Sequence, residues 1–172
     1  MTELAAHIVD SVIPAVPVRQ FVLTLPPDLR AIVAWNSELR GKVLTAFMRA
    51  LEKHYVQQAL AKGATEPKFA AISGLQRWDG AIRIFPHWHV LVADGAWHKT
   101  ATGLKFLRSR IGTPRHIAAD ATTRIRSIFA TGAPGSNSAG RCARLPPFVN
   151  PKIRPDFERL NPGLIALLFN SL

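Results

Sequence analysis

The stretch Arg83–Gly95, "RIFPHWHVLVADG", decides how the rest of the chain is read. Its apolar residues run almost without interruption from Trp88 to Ala93, and it ends at Asp94-Gly95, a strong turn signal. That pattern predicts a strand. Pro86 cannot donate to a strand ladder, so it predicts an edge, a bulge or the start of a fresh strand. In a strand, residues two apart project to one face about 6.5 Å apart. His87 and His89 therefore share a face, and Trp88 turns the other way, into the core. Two imidazoles so placed can reach one divalent cation, with a third ligand from a neighbouring strand and open positions for water and substrate. Six histidines in 172 residues can also supply such a pair by chance, and a buried neutral pair satisfied by hydrogen bonds is the plainer alternative.

Working outward, "PVRQFVLTLP" at 17–26 alternates between two prolines and predicts a strand. Pro26-Pro27 opens a helix with Asp28 in its first turn. Asn36-Ser37 interrupts it, with Ser37 as the expected N-cap of a second helix. Val43, Leu44, Phe47, Met48, Leu51 and Tyr55 recur at three- and four-residue spacing, one apolar stripe on a long helix ending near Gly63. Its opposite face, with Lys42, Arg49 and Lys53, reads as solvated. "FAAISGLQ" at 69–76 predicts a strand, joined through Asp79-Gly80 to the histidine strand. The order strand, helix, strand, strand predicts an α+β fold, a partial ferredoxin-like antiparallel sheet with a long packed helix.

After about residue 98 the periodicity fades. Short helices are expected over 104–111 and 119–130, a terminal one in "GLIALLFNSL", and a linker at "TGAPGSNSAG". The domain reading is a core over 1–97 followed by an irregular basic region over 98–172. Charge divides the same way. The net charge is +11, yet residues 1–97 hold 10 Lys/Arg against 8 Asp/Glu, while residues 98–172 hold 12 against 3. A basic excess favours polyanions, nucleic acid first. The single cysteine, Cys142, excludes an intrachain disulfide and a cysteine-cluster zinc site. With no signal-peptide pattern and no apolar run long enough for a membrane span, a cytoplasmic protein without a membrane partner is expected.

Two blocks, "AAHIVDSVIPAVPVRQFVLTLPPDLR" and "LQRWDGAIRIFPHWHVLVADGAW", resemble in order and spacing the rolling-circle transposases with an HUH (His-hydrophobic-His) endonuclease core. More narrowly, they resemble the two-tyrosine insertion-sequence family, over residues 5–97. The resemblance implies metal-dependent nicking and strand transfer on single-stranded DNA through a covalent phosphotyrosine. It implies His87 and His89 as ligands of magnesium or manganese, with Pro86, Asp94 and Gly95 as framing residues. Gln76, on the paired strand, is the candidate third ligand, since an amide oxygen suits a hard cation. Asp79 has suitable chemistry but is expected to support the turn. Arg19, Arg77 and Arg83 are the candidate nucleic-acid contacts, with framing of the sheet edge as the other role for Arg19 and its neighbour Gln20.

The chain departs from the family in three ways. It begins after where a cysteine-rich zinc segment would end. Its only tyrosine is Tyr55, expected as a core ring with its hydroxyl at the surface rather than as a nucleophile. The likeness stops after Trp97, as in a frameshifted or recombined remnant. A transposase fragment that is catalytically incomplete, with an unpaired sheet edge that lowers cooperativity, is therefore the expectation. The alternative is a noncatalytic nucleic-acid-binding α+β protein that stacks bases on Trp78, Phe85 and Trp97. A third reading is an unrelated metal hydrolase using His87, His89 and His98.

Overall fold

The computed structural model describes residues 15–109 and 115–131, isolated positions before residue 12, and a two-residue strand at 170–171. The described chain runs β1 (Val18–Thr24), α1 (Pro27–Trp35), α2 (Ser37–Ala61), β2 (Ala71–Trp78), β3 (Ile84–Ala93), β4 (Gly95–Thr100), β5 (Gly103–Arg108), α3 (Arg115–Thr131) and β6 (Asn170–Ser171). The fold is α+β. One sheet has the order β2-β3-β1-β6, and β4-β5 form a separate two-stranded sheet. Both β1 and β2 run antiparallel to β3 and flank it. The two are therefore parallel to each other, and α1 and α2 form their crossover, the split βαβ arrangement of ferredoxin-like sheets.

The histidine strand β3 is thus central, which explains its long apolar run. Phe21 and Leu23 of β1 and Trp88, Val90 and Val92 of β3 turn to one face and pack into a single core with the helices. The stripe expected on α2 supplies Val43, Phe47, Leu51 and Tyr55, all buried. The N-cap of α2 is Asn36 rather than Ser37: Asn36 Oδ1 accepts from the Leu39 N–H at 2.9 Å, satisfying a first-turn donor. Pro86 lies within β3 where β1 has already ended and where the β2 register shifts between Gln76 and Trp78. A bulge therefore absorbs its missing donor.

Two expectations are corrected, while Asp79-Gly80 opens the expected turn from Trp78 to Ile84, a five-residue loop. Asp79 organises it by accepting from the Ala81 and Arg83 amides, and Ile82 takes φ +57°. The residues expected as a helix over 104–111 form β5 through Arg108, paired along β4. Finally, the packed core does not stop at residue 97. The helix expected over 119–130 begins at Arg115, and Ile117, Ala121 and Ile125, four residues apart, bury one stripe against α2. The expected linker beyond residue 131 and most of the expected terminal helix lie outside the described residues.

Gly95 begins β4 for a packing reason. A Cβ there would lie 2.2 Å from the Leu107 carbonyl oxygen and 2.6 Å from the Phe106 ring, so β5 comes as close as it does only because the side chain is absent.

Candidate metal and nucleic-acid site

His87 and His89 project from β3 on the face turned away from the helices, with ring centroids 5.0 Å apart. The register sets Thr24 and Gln76 on either side of His87, and Val22 and Gly74 on either side of His89. His87 is 9% exposed, and its Nδ1 lies 2.7 Å from the Phe85 carbonyl oxygen. A carbonyl can only accept, so Nδ1 carries the proton and the Nε2 lone pair is left for a cation. This is how a metal-binding imidazole is usually oriented. His89 Nδ1 lies 2.8 Å from Gln20 Nε2. With the amide nitrogen toward the ring, Nδ1 accepts and the His89 proton sits on Nε2. Turning the amide over makes Nδ1 the donor to Oε1 and frees Nε2, giving both imidazoles the same ligating atom. Burial, and then the nearby His87, lower the His89 pKa and favour the neutral form that ligation requires.

Gln76, expected on the paired strand, stands directly across from His87. Its Nε2 donates to the Trp78 carbonyl at 3.2 Å, which uses the amide nitrogen and leaves the oxygen as its remaining donor atom. Among the described residues no group of three or more His, Cys, Asp or Glu side chains could hold a metal ion. A cation on this face would rest on two imidazole nitrogens with the amide oxygen of Gln76, Gln20 being used to orient His89. That set suits an open site completed by water or substrate, without a carboxylate to tighten it.

The other sequence candidates fall elsewhere. Arg19 lies on the helix side of β1, where Nε and Nη2 donate to the two Asp94 oxygens at 3.2 and 2.9 Å. Holding the β3–β4 junction to β1 accounts for its guanidinium better than the expected DNA contact does. Asp94 frames the fold literally: it is 3% exposed, its N–H donates to the Pro17 carbonyl, and Oδ1 also accepts from the Tyr55 hydroxyl at 3.3 Å. The Tyr55 hydroxyl is therefore buried rather than at the surface. Burial, and then the Asp94 charge, push its pKa up, away from phenolate formation. Asp79 is taken by its own loop and by the Arg83 Nε at 2.7 Å. Hydrogen bonds led by the Arg83 amide hold its carboxyl below the usual range. Arg77 is exposed and lines a small cleft with Trp35 and Trp78, while Arg83 is exposed on the 79–83 loop.

Of the three aromatics expected to stack bases, only Phe85 shares the histidine face, 5.3 Å from the His87 ring. Trp78 is beside Trp35, and Trp97 packs on Phe106 in the second sheet. His98 is in that second sheet as well, not in the histidine row, and both its ring nitrogens are buried without a hydrogen-bond partner among the described residues.

Sequence reasoning missed two features. Arg30 of α1 places its guanidinium 4.1 Å from the Phe85 ring centroid. Separately, His54 of α2 meets His116 of α3, Nδ1 to Nε2, at 2.6 Å, and Gln58 links His54 to Ser109. Comparison with protein-family models, with curated proteins and with solved structures finds no match.

Proposed function

We propose that this chain is the metal- and DNA-binding core of an HUH-type rolling-circle transposase, and that its 172 residues do not cleave DNA by a tyrosine route. In this reading His87 and His89, with Gln76, hold magnesium or manganese, and single-stranded DNA lies across their face of β3. When bound, the cation polarises a phosphate and neutralises developing charge. The protein's own part is to orient the imidazoles, His87 through the Phe85 carbonyl and His89 through Gln20. The observation that carries the reading is the paired imidazoles on the face of a central strand opposite Trp88, Val90 and Val92, with Gln76 in register across from His87. A cytoplasmic location belongs to the same reading. Among the described residues no helix is long and apolar enough to cross a membrane.

The second reading, a noncatalytic nucleic-acid-binding protein, is favoured by one observation: Tyr55, the only tyrosine, is 1% exposed and its hydroxyl is held by Asp94. One experiment separates the two. The full chain is incubated with labelled single-stranded DNA and manganese, and nicking, covalent adducts and binding are followed in wild type, His87→Ala and Tyr55→Phe. Manganese-enhanced binding lost in His87→Ala, without an adduct, is the expected result. Binding indifferent to both manganese and His87→Ala, but falling steeply with salt, would leave the second reading.

A further inference from the structure

The histidine row does not end at His87. Phe85 continues it on the same face, and beyond Phe85 opens a cleft of about 340 Å³ lined by Arg30, Asp79, Arg83 and Phe85 among others. Arg30 is fixed from two sides: its Nε donates to the Leu25 carbonyl at 2.9 Å, and its guanidinium lies over the Phe85 ring. Arg83 is fixed through its own Nε on Asp79. Each guanidinium is thus anchored by Nε and, among the described residues, keeps both terminal amino groups for a ligand, the forked geometry that suits a phosphate. The Asp79 carboxylate is already occupied by two amides and the Arg83 Nε. Two guanidiniums against one carboxylate leave one unbalanced positive charge in the cleft, the complement of a single phosphodiester. Burial, and then the facing Arg83, lower the Arg30 pKa, so the two cations meet at a cost that an anion between them would relieve.

We propose that Arg30 and Arg83 form a phosphate subsite at the end of the Phe85–His87–His89 row, taking a backbone phosphate of single-stranded nucleic acid beside the one at the histidines. The subsite rests on the function proposed above, because that reading lays the strand along this row. Arg30 positions the strand, and it needs no metal to do so.

The test is fluorescence anisotropy of a 5′-labelled oligothymidine with the full chain, across a salt series, with manganese and with EDTA. Arg30→Ala and Arg83→Ala should each weaken binding about three- to tenfold and flatten the salt dependence by about 0.7 in log–log slope, the share of one single-strand phosphate. The double variant should lose no more slope than that, since both contact the same phosphate. Arg30→Lys should recover the slope without the full affinity, and Arg124→Ala, on α3 in the helix layer, should bind as wild type. The subsite is overturned if Arg30→Ala and Arg83→Ala keep wild-type affinity and slope, if Arg124→Ala weakens binding as much, or if the wild-type chain does not bind the oligonucleotide. Should Arg30→Ala fail to fold by circular dichroism, Arg83→Ala on its exposed loop decides alone. Arginine effects that persist in EDTA while His87→Ala changes nothing support the subsite and remove the metal reading. A loss confined to His87→Ala in manganese does the reverse.

Discussion

Replacing Tyr55 by Phe separates a structural tyrosine from a nucleophile. The ring itself should stay in place, since it is 1% exposed, lies 5.5 Å from the Phe69 ring in a stacked arrangement, and meets His54 edge-on at 5.3 Å. The main loss is the hydrogen bond to Asp94, with a smaller one in the contact with Arg19. At 3.3 Å that bond is longer than the usual hydroxyl range. Its contribution therefore falls below the usual range for a charged acceptor, to about 1 kcal/mol. Asp94 is not stranded, because Arg19 still donates twice at 3.2 and 2.9 Å. With a urea slope of about 2 kcal/mol/M, the midpoint should fall by about 0.5 M. Asp94→Ala abandons all three bonds and leaves Arg19 without its carboxylate, and should cost about 3 kcal/mol. Equilibrium urea unfolding followed by tryptophan fluorescence measures both. A Tyr55→Phe midpoint equal to wild type, together with loss of a covalent DNA adduct that wild type forms, would refute the argument.

Glycine positions and acid sensitivity give further expectations. Gly95→Ala forces a Cβ against the Leu107 backbone and should destabilise by about 1–3 kcal/mol. A Cβ at Gly74, beside His89 on the ladder, meets nothing, so Gly74→Ala should be neutral or slightly stabilising. Thermal melts of the two variants compare them, and equal melting temperatures would contradict the packing assigned to β5. His54 is lowered to about 4 by burial and by His116, with Asp94 opposing. Below its ordinary value of 6.5 the unfolded chain takes up a proton that the folded chain refuses. Stability should therefore hold above about pH 6.5 and fall as the pH drops toward 4. His54→Gln should flatten that part of the curve, and an unchanged pH dependence in the variant would assign the effect to other groups.

The elements up to β3 were legible because each is a local pattern. β1 alternates between prolines, α2 repeats its stripe every three or four residues, and β3 alternates its histidines with Trp88 and Val90 before the turn signal at Asp94-Gly95. The histidine face followed from the same periodicity, whereas Gln76 was expected only on the paired strand and its register with His87 is set by the ladder. β5 escaped because Leu104, Phe106 and Leu107 do not alternate, and Leu104 is 72% exposed. The long-range polar pairs had no local signal at all: Arg19 and Asp94 are 75 residues apart, Tyr55 and Asp94 39, His54 and His116 62. Only folding brings them together: the framing role open to Arg19 and the core ring expected of Tyr55 acquire their shared partner, Asp94, only in the fold. Arg30 was hidden for the same reason, since nothing near it in sequence announces that its guanidinium will cover Phe85 and extend the histidine row.

The central claim is that His87 and His89 together hold a divalent cation. Isothermal titration of the full chain with manganese, repeated on His87→Ala, His89→Ala and Gln76→Ala, tests it most directly. The account predicts one site in wild type, lost in either histidine variant and weakened in Gln76→Ala, with the folded state retained in all three. Wild-type manganese binding that survives both histidine substitutions, or no binding at all by the wild-type chain, would contradict it.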